Sequence, residues 1–236
     1  SHYNKRAGSP MNLIYGQNAI LAVLKSNHKR VKKLFIKGSF PKSFDKYVKS
    51  IQVEHLDNRQ FEKLLPGKSH QGIAAHIEEK SSVSINELQD AKTVAILDGI
   101  TDIHNIGAIM RSAYAFGVDA LIVNKKLQIL KKADVYKTSA GYVEMLDIVE
   151  VTNLADSLKT LKKMGFWVLG MQLEDSQNIS SVKEFEKKAL VLGAEGSGIR
   201  PLHQKLCDAF VSIPITDGCD SLNVSVAASI AFWECF

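Results

Sequence analysis

A chain of 236 residues with 45% apolar and 23% charged side chains can bury a substantial core, as one large domain or as a small one joined to a larger. No run approaches the ~20 apolar residues a membrane helix needs. Cys207, Cys219 and Cys235 are widely spaced with no CxxC, so they fit neither a zinc site nor a disulfide framework, and a reduced, cytoplasmic setting is expected.

The net charge of +5 conceals an asymmetry. Residues 1–80 hold 15 Lys and Arg against 6 Asp and Glu, a net of +9, whereas residues 81–236 hold 15 against 19, a net of −4. A basic module joined to a mildly acidic one is expected either to meet a polyanion through its first half or to carry an ordinary solvated lysine-rich surface. SHYNKRAGSP, ahead of Met11, lacks the apolar stretch of a signal peptide and reads as an expression remnant, so residues 1–11 are expected to lie outside the fold.

Helical spacing of Ala19, Ile20, Val23 and Leu24 predicts a helix over Gly16–Leu24. A strand at Val31–Ile36 follows, then a Gly-Ser-Phe-Pro breaker, a helix near Phe44–Ile51 and a weak strand at Val53–Leu56. A short helix at Arg59–Leu65 and a strand at Ile73–Ile77 complete a compact α/β unit over 12–78. The polar segment 79–92 is the expected linker, and 93–236 the second domain. There, apolar runs at Val94–Leu97, Ala120–Val123, Asp147–Val149, Trp167–Met171, Leu190–Leu192 and Phe210–Ile215 alternate with helices at Ile106–Phe116, Ala133–Ser139, Leu154–Met164 and Leu222–Trp233. Short, continuously apolar strands separated by helices predict a parallel sheet covered on both faces.

Ligands of such sheets bind beyond the strands' carboxyl ends, where three segments stand out. In 97–117, Asn105 or Asp102 is placed to cap the helix, and Arg111 lies about 140° from Ile106, off the apolar stripe of Ile109, Met110 and Ala113. A cation in the first half of a helix opposes the dipole, which invites a functional reading, although on this pattern alone a surface arginine is the commoner explanation. In 191–201, Gly193, Gly196 and Gly198 surround Glu195 in neither a GxGxxG nor a P-loop order. Glu195 would repel phosphate and accept hydrogen bonds from hydroxyls or amines. In 211–233, Ser221 is placed to cap a helix of small residues, with Asn223 in its first turn.

Taken together, Asn105-Ile-Gly-Ala-Ile-Met-Arg111, Gly193-Ala-Glu195-Gly and Ser221-Leu-Asn223-Val-Ser-Val-Ala resemble motifs 1, 2 and 3 of the SpoU (TrmH) family of RNA ribose methyltransferases, in order and in placement. Ile14-Tyr-Gly-Gln-Asn-Ala and Ser69-His-Gln-Gly-Ile-Ala resemble the start and end of that family's RNA substrate-binding domain, so the resemblance covers 12–236. It implies an α/β fold: a C-terminal SPOUT-type, trefoil-knotted parallel-sheet domain with a smaller L30e-like α/β domain ahead of it. It implies S-adenosylmethionine (AdoMet) as methyl donor with no metal, a homodimer, and RNA as partner, with 23S ribosomal RNA (a guanosine ribose) expected and transfer RNA the alternative. Carried over by position, Asn105, Arg111, Glu195, Ser221 and Asn223 are catalytic candidates, and Gly193, Ile213 and Leu222 cofactor-binding ones. Tyr142, after Ser139-Ala-Gly, departs from the family pattern, which often has a small residue there.

Arginine is a poor base because its guanidinium stays protonated, so Arg111 is expected to grip phosphate and stabilise developing charge, with His104 an alternative base. Lys25, Lys29, Arg30, Lys32, Lys33 and Lys37 are candidate phosphate contacts, which Lys125, Lys126, Lys131 and Lys132 would extend. A non-catalytic RNA-binding protein would have a broken motif set. A nucleotide-dependent dehydrogenase would need GxGxxG after the first strand of the second domain, where Leu97-Asp-Gly-Ile-Thr-Asp stands.

Overall fold

The computed structural model describes residues 11–236; the residues ahead of Met11, read above as an expression remnant, lie outside it. The first unit contains β1 (Met11–Tyr15), α1 (Gln17–Asn27), β2 (Val31–Ile36), α2 (Asp45–Val48), β3 (Gln52–His55), α3 (Asn58–Leu64) and β4 (Ile73–Glu78). Its mixed sheet has the order β1-β4-β2-β3: β4 runs antiparallel to both β1 and β2, and β3 parallel to β2. Strand β1 is the element missing from the sequence reading, which placed Met11 outside the fold. The segment between the sheets is also more ordered than its polarity implies. Ser84 and Glu87 form a reciprocal capping box on a 3₁₀ turn that buries Leu88.

The second unit runs through β5 (Thr93–Asp98), α4 (Ile103–Ala115), β6 (Ala120–Asn124), α5 (Ala133–Thr138), β7 (Asp147–Val151), α6 (Leu154–Lys163), β8 (Trp167–Met171), β9 (Gln177–Asn178), β10 (Lys188–Gly193), α7 (Pro201–Gln204), β11 (Ala209–Ser212) and α8 (Val224–Cys235). All pairings in its seven-stranded sheet are parallel, in the order β7-β6-β5-β10-β8-β11-β9. Strand β10, late in the chain, lies between β5 and β8.

Burial on both faces explains the continuously apolar strands. On β5, Val94 and Ile96 pack with Leu158 and Leu161 of α6, while Ala95 and Leu97 face the core shared with Ile109 and Met110 of α4 and Phe232 of α8. Strand β11 stops at Ser212 rather than at Ile215, because Pro214 has no N–H for a ladder and the chain leaves the sheet there. Helices α4 and α5 meet at Gly107, where a β-carbon would come within 2.5 Å of Thr138.

The two units share one continuous core, which includes Ile14, Ile20 and Val23 from the first and Val135, Val143 and Leu146 from the second. Polar rivets cross the seam. Arg30 Nη1 donates to Glu144 Oε2 at 2.6 Å, and its Nε and Nη2 donate to the Glu78 carbonyl. Lys80 donates to the carbonyls of Val143, Glu144 and Leu146. The Tyr15 hydroxyl and the Lys68 ammonium both donate to Asp134.

Candidate active site

Three separated segments meet beyond the carboxyl ends of β5, β10 and β11. Asn223 Nδ2 donates to Glu195 Oε1 at 2.8 Å and to Asn105 Oδ1 at 3.2 Å, and the Val224 N–H donates to the same Glu195 oxygen at 3.0 Å. Asn105, Glu195 and Asn223 therefore form one node across residues up to 118 positions apart.

Local structure explains each position. Asp102, not Asn105, caps α4, accepting from the Asn105 N–H at 2.9 Å, so Asn105 rides in the first turn with its side chain free for Asn223. Asn223, not Ser221, caps α8: its Oδ1 accepts from the Ser225 and Val226 N–H groups at 3.0 and 3.4 Å. One amide thus starts the helix with its oxygen and links the motifs with its nitrogen. The Glu195 carboxylate lies at the positive end of α8, where an anion is favoured. Its Oε2 has no partner among the described residues, which leaves the node one free acceptor.

The glycine-rich loop is held tightly. A β-carbon on Gly193 would stand 2.3 Å from the Gly198 carbonyl carbon and 2.4 Å from the Ile199 nitrogen, so no other residue fits. The loop's far end is clamped by Asp98, which the sequence reading passed over. This carboxylate is buried at the end of β5, and its Oδ2 accepts from the Arg200 N–H at 3.0 Å and lies 2.7 Å from His203 Nδ1. An aspartate ending an apolar run, VAILD, was the available signal.

Ile213 and Leu222 are half-buried in the segments flanking the node, and their backbone N–H and C=O groups make no hydrogen bond among the described residues. They offer free backbone groups near the tight turn that follows Gly193, a donor and acceptor set that fits the polar edges of an adenosine and an amino-acid moiety. Ser221 is exposed and its hydroxyl joins no hydrogen bond among the described residues.

Arg111 stands apart. Six residues beyond Asn105, it lies about 9 Å further along α4 and about 120° around it. Asn105, Ser112 and Phe116 share the flank that meets α8, where Ser112 bonds Ser229 and Phe116 touches Trp233. Arg111 and Tyr114 occupy another flank, with the Arg111 guanidinium 6.0 Å from the Tyr142 ring centroid. His104 is exposed, one residue from the node. Of the lysine-rich track, Arg30 is held by Glu144, Lys32 by Glu78 and Lys33 by Glu54, while Lys25, Lys29 and Lys37 make no ion pair among the described residues. Among those residues no three His, Cys, Asp or Glu side chains gather as a metal cluster, and no helix is long and apolar enough to cross a membrane.

A parallel α/β sheet with a polar node at its strand ends and a small basic unit attached defines a class, and comparison with known proteins specifies it. Residues 92–233 match the SpoU rRNA Methylase family, and residues 13–83 match the RNA 2′-O ribose methyltransferase substrate binding family. The chain is 36% identical over 234 residues to the 23S rRNA (guanosine-2′-O-)-methyltransferase RlmB of Escherichia coli, covering 94% of this chain and 96% of that one. It is 34% identical over 233 residues to the RlmB of Vibrio parahaemolyticus, covering 94% of each. Its fold is similar to that of the SpoU methyltransferase AviRb from Streptomyces viridochromogenes (TM-score 0.81, 21% identity, 99% of this chain and 91% of that one). The rRNA methyltransferase of Sinorhizobium meliloti is likewise similar (TM-score 0.82, 18% identity, 99% and 90%). The chain belongs to the SpoU rRNA methylase family.

Proposed function

We propose that this protein transfers a methyl group from AdoMet to the 2′-hydroxyl of a guanosine ribose in 23S ribosomal RNA. The observation that carries the reading is the Asn105–Asn223–Glu195 node, which joins all three family motifs at one sheet edge. The full-length likeness to RlmB proteins supports the substrate.

AdoMet supplies a methyl group on a sulfonium, an electrophile that needs no metal to activate it. Gly193, Ile213 and Leu222 would hold it through their backbone groups. The residues' task is then to place the ribose hydroxyl and to receive its proton. Asn223, itself bonded to Asn105, orients the Glu195 carboxylate together with the Val224 N–H, and Glu195 Oε2 is a free acceptor at the site. Arg111 grips the phosphate of the target nucleotide through a planar, bidentate guanidinium and stabilises charge developing on the sugar oxygen.

In a single chain Arg111 lies on the flank of α4 away from the node, which favours a homodimer that brings one protomer's Arg111 to its partner's node. The exposed apolar face of Phe116, Val226, Ile230 and Trp233 on α4 and α8 supports that arrangement. The trefoil knot, the division into a substrate-binding unit over 12–78 and a catalytic unit over 93–236, and a cytoplasmic location belong to the same proposal. Tritiated methyl transfer to total RNA from a strain lacking the gene, with mapping of the labelled 2′-O-methyl nucleotide, tests it. Label on a guanosine of 23S RNA is expected, and label on transfer RNA alone would overturn the substrate. Loss of transfer in Arg111→Lys is expected, whereas near wild-type rates would refute the need for a bidentate guanidinium.

A further inference from the structure

A cleft of about 370 Å³ opens at the seam of the two units, between α1 on one side and α4 with the 139–145 segment on the other. Its lining combines two cations, two tyrosines and an amide. Arg111 and Lys25 make no ion pair among the described residues, and no carboxylate lines the cleft, so its field is positive. Tyr114 and Tyr142 lie with ring centroids 5.3 Å apart at 43°, and Tyr114 is 47% exposed. Asn18 of α1 adds an amide that both donates and accepts.

The floor of the cleft is built rigidly and at some strain. Ala140 adopts φ of 51°, a left-handed conformation rare for a residue with a β-carbon, and Gly141 follows at 85°. A β-carbon on Gly141 would stand 2.5 Å from Ala22 Cβ and 2.8 Å from the Asn18 carbonyl, so α1 rests directly on this turn. Strained turns held by their surroundings recur where ligands are clamped. The turn sets Tyr142 beside Arg111, and the contact with α1 brings Asn18 and Lys25 to the same opening.

We propose that this cleft captures one unstacked base of the RNA substrate, the base lying against Tyr142 and Tyr114 with its flanking phosphates on Arg111 and Lys25. Aromatic faces take up single-stranded bases, whereas bases inside a duplex are already stacked and paired. The Asn18 amide is placed to read a base edge. The proposal rests on the RNA methyltransferase reading and adds a specificity site built jointly by the two units. It gives a purpose to the pairing of Tyr142 with Arg111 and Tyr114 at the seam.

Fluorescence anisotropy of the full chain with a short labelled single-stranded RNA, and with the same strand annealed to its complement, tests it. Tyr142→Ala should weaken single-strand binding by about 5- to 150-fold, the range for loss of one base stack. It should leave duplex binding unchanged, and Tyr142→Phe should bind like the parent. An equal loss on both RNAs, or no loss on either, overturns the proposal. Should Tyr142→Ala fail to fold, photo-cross-linking of the unaltered protein to the same RNA carrying 5-iodouridine decides. Adducts on the peptides of Tyr142 or Tyr114 support the cleft, and adducts found only elsewhere overturn it. Calorimetry with S-adenosylhomocysteine separates the two readings. Its failure to bind sinks the methyltransferase assignment while leaving the single-strand comparison intact.

Discussion

Replacing Arg30 with methionine should destabilise the protein by about 3–5 kcal/mol, far more than a surface cation is worth. The Arg30 side chain is 13% exposed and its partner Glu144 is 1% exposed. Glu144 also accepts from the Tyr136 hydroxyl at 3.1 Å. Without the guanidinium, this carboxylate stays sealed in the seam with a phenol as its side-chain donor, and the Glu78 carbonyl loses both its Arg30 donors. For a protein of this size the loss corresponds to a fall in Tm of roughly 6 to 20 °C. Guanidinium unfolding of the full chain, followed by circular dichroism, measures it. The double variant Arg30→Met with Glu144→Gln removes the stranded charge while keeping an acceptor for Tyr136, so it should recover at least half of the loss. A cost below about 1 kcal/mol for Arg30→Met, or a double variant no better than the single, would refute the buried-rivet account.

Gly193→Ala should abolish adenosylhomocysteine binding in calorimetry while the protein stays folded, because the new methyl would overlap the Gly198–Ile199 peptide; unchanged affinity would show that the loop shifts freely. Burial pushes the Asp134 carboxyl up, but the Tyr15 and Lys68 donors outweigh it and leave its pKa below the ordinary value of 3.8. Its contribution is therefore complete above that value and lost as pH falls through the lowered one. Asp134→Asn should flatten the acid limb of a stability–pH curve below about pH 4, and parallel curves would count against the link. Burial raises the thiols of Cys207 and Cys235 to about 11, while Cys219 is exposed. Iodoacetamide at pH 8 should therefore alkylate Cys219 first in native protein, as mass spectrometry would show, with all three reacting after denaturation.

The parallel sheet was legible because β5, β6, β8 and β10 are buried on both faces and so read as unbroken apolar runs. The short edges were not. Strand β9 is two polar residues that take their place from β11, and β1 shows too little alternation in MNLIY to stand out beside a supposed tag. The starts of α4 and α8 moved by three and two residues because several polar side chains near each could cap, and the fold settled on Asp102 over Asn105 and Asn223 over Ser221. The candidate site was suggested by its motifs and not by local pattern. Asn105, Glu195 and Asn223 are each unremarkable polar residues until the fold joins them. Arg111 was visible as a cation off the apolar stripe, but its neighbours Tyr142 and α1 were not, since those contacts join segments far apart in sequence. Arg30 was read as a phosphate contact for the same reason: its partner lies 114 residues away.

The position of β10 bears on how the protein must be made. A strand at 188–193 separates two made before it, one far earlier at 93–98 and one only shortly ahead at 167–171. The small N-terminal sheet can close as soon as residue 78 emerges, but the large one has a gap at its centre until nascent chain beyond residue 193 is free of the exit tunnel. During that interval β5 and β8 each expose an unpaired rim, the kind of surface on which nascent chains aggregate and to which chaperones bind. Completion of the large sheet therefore waits for β10, and a chain released before that strand is made would carry a large sheet without its central strand.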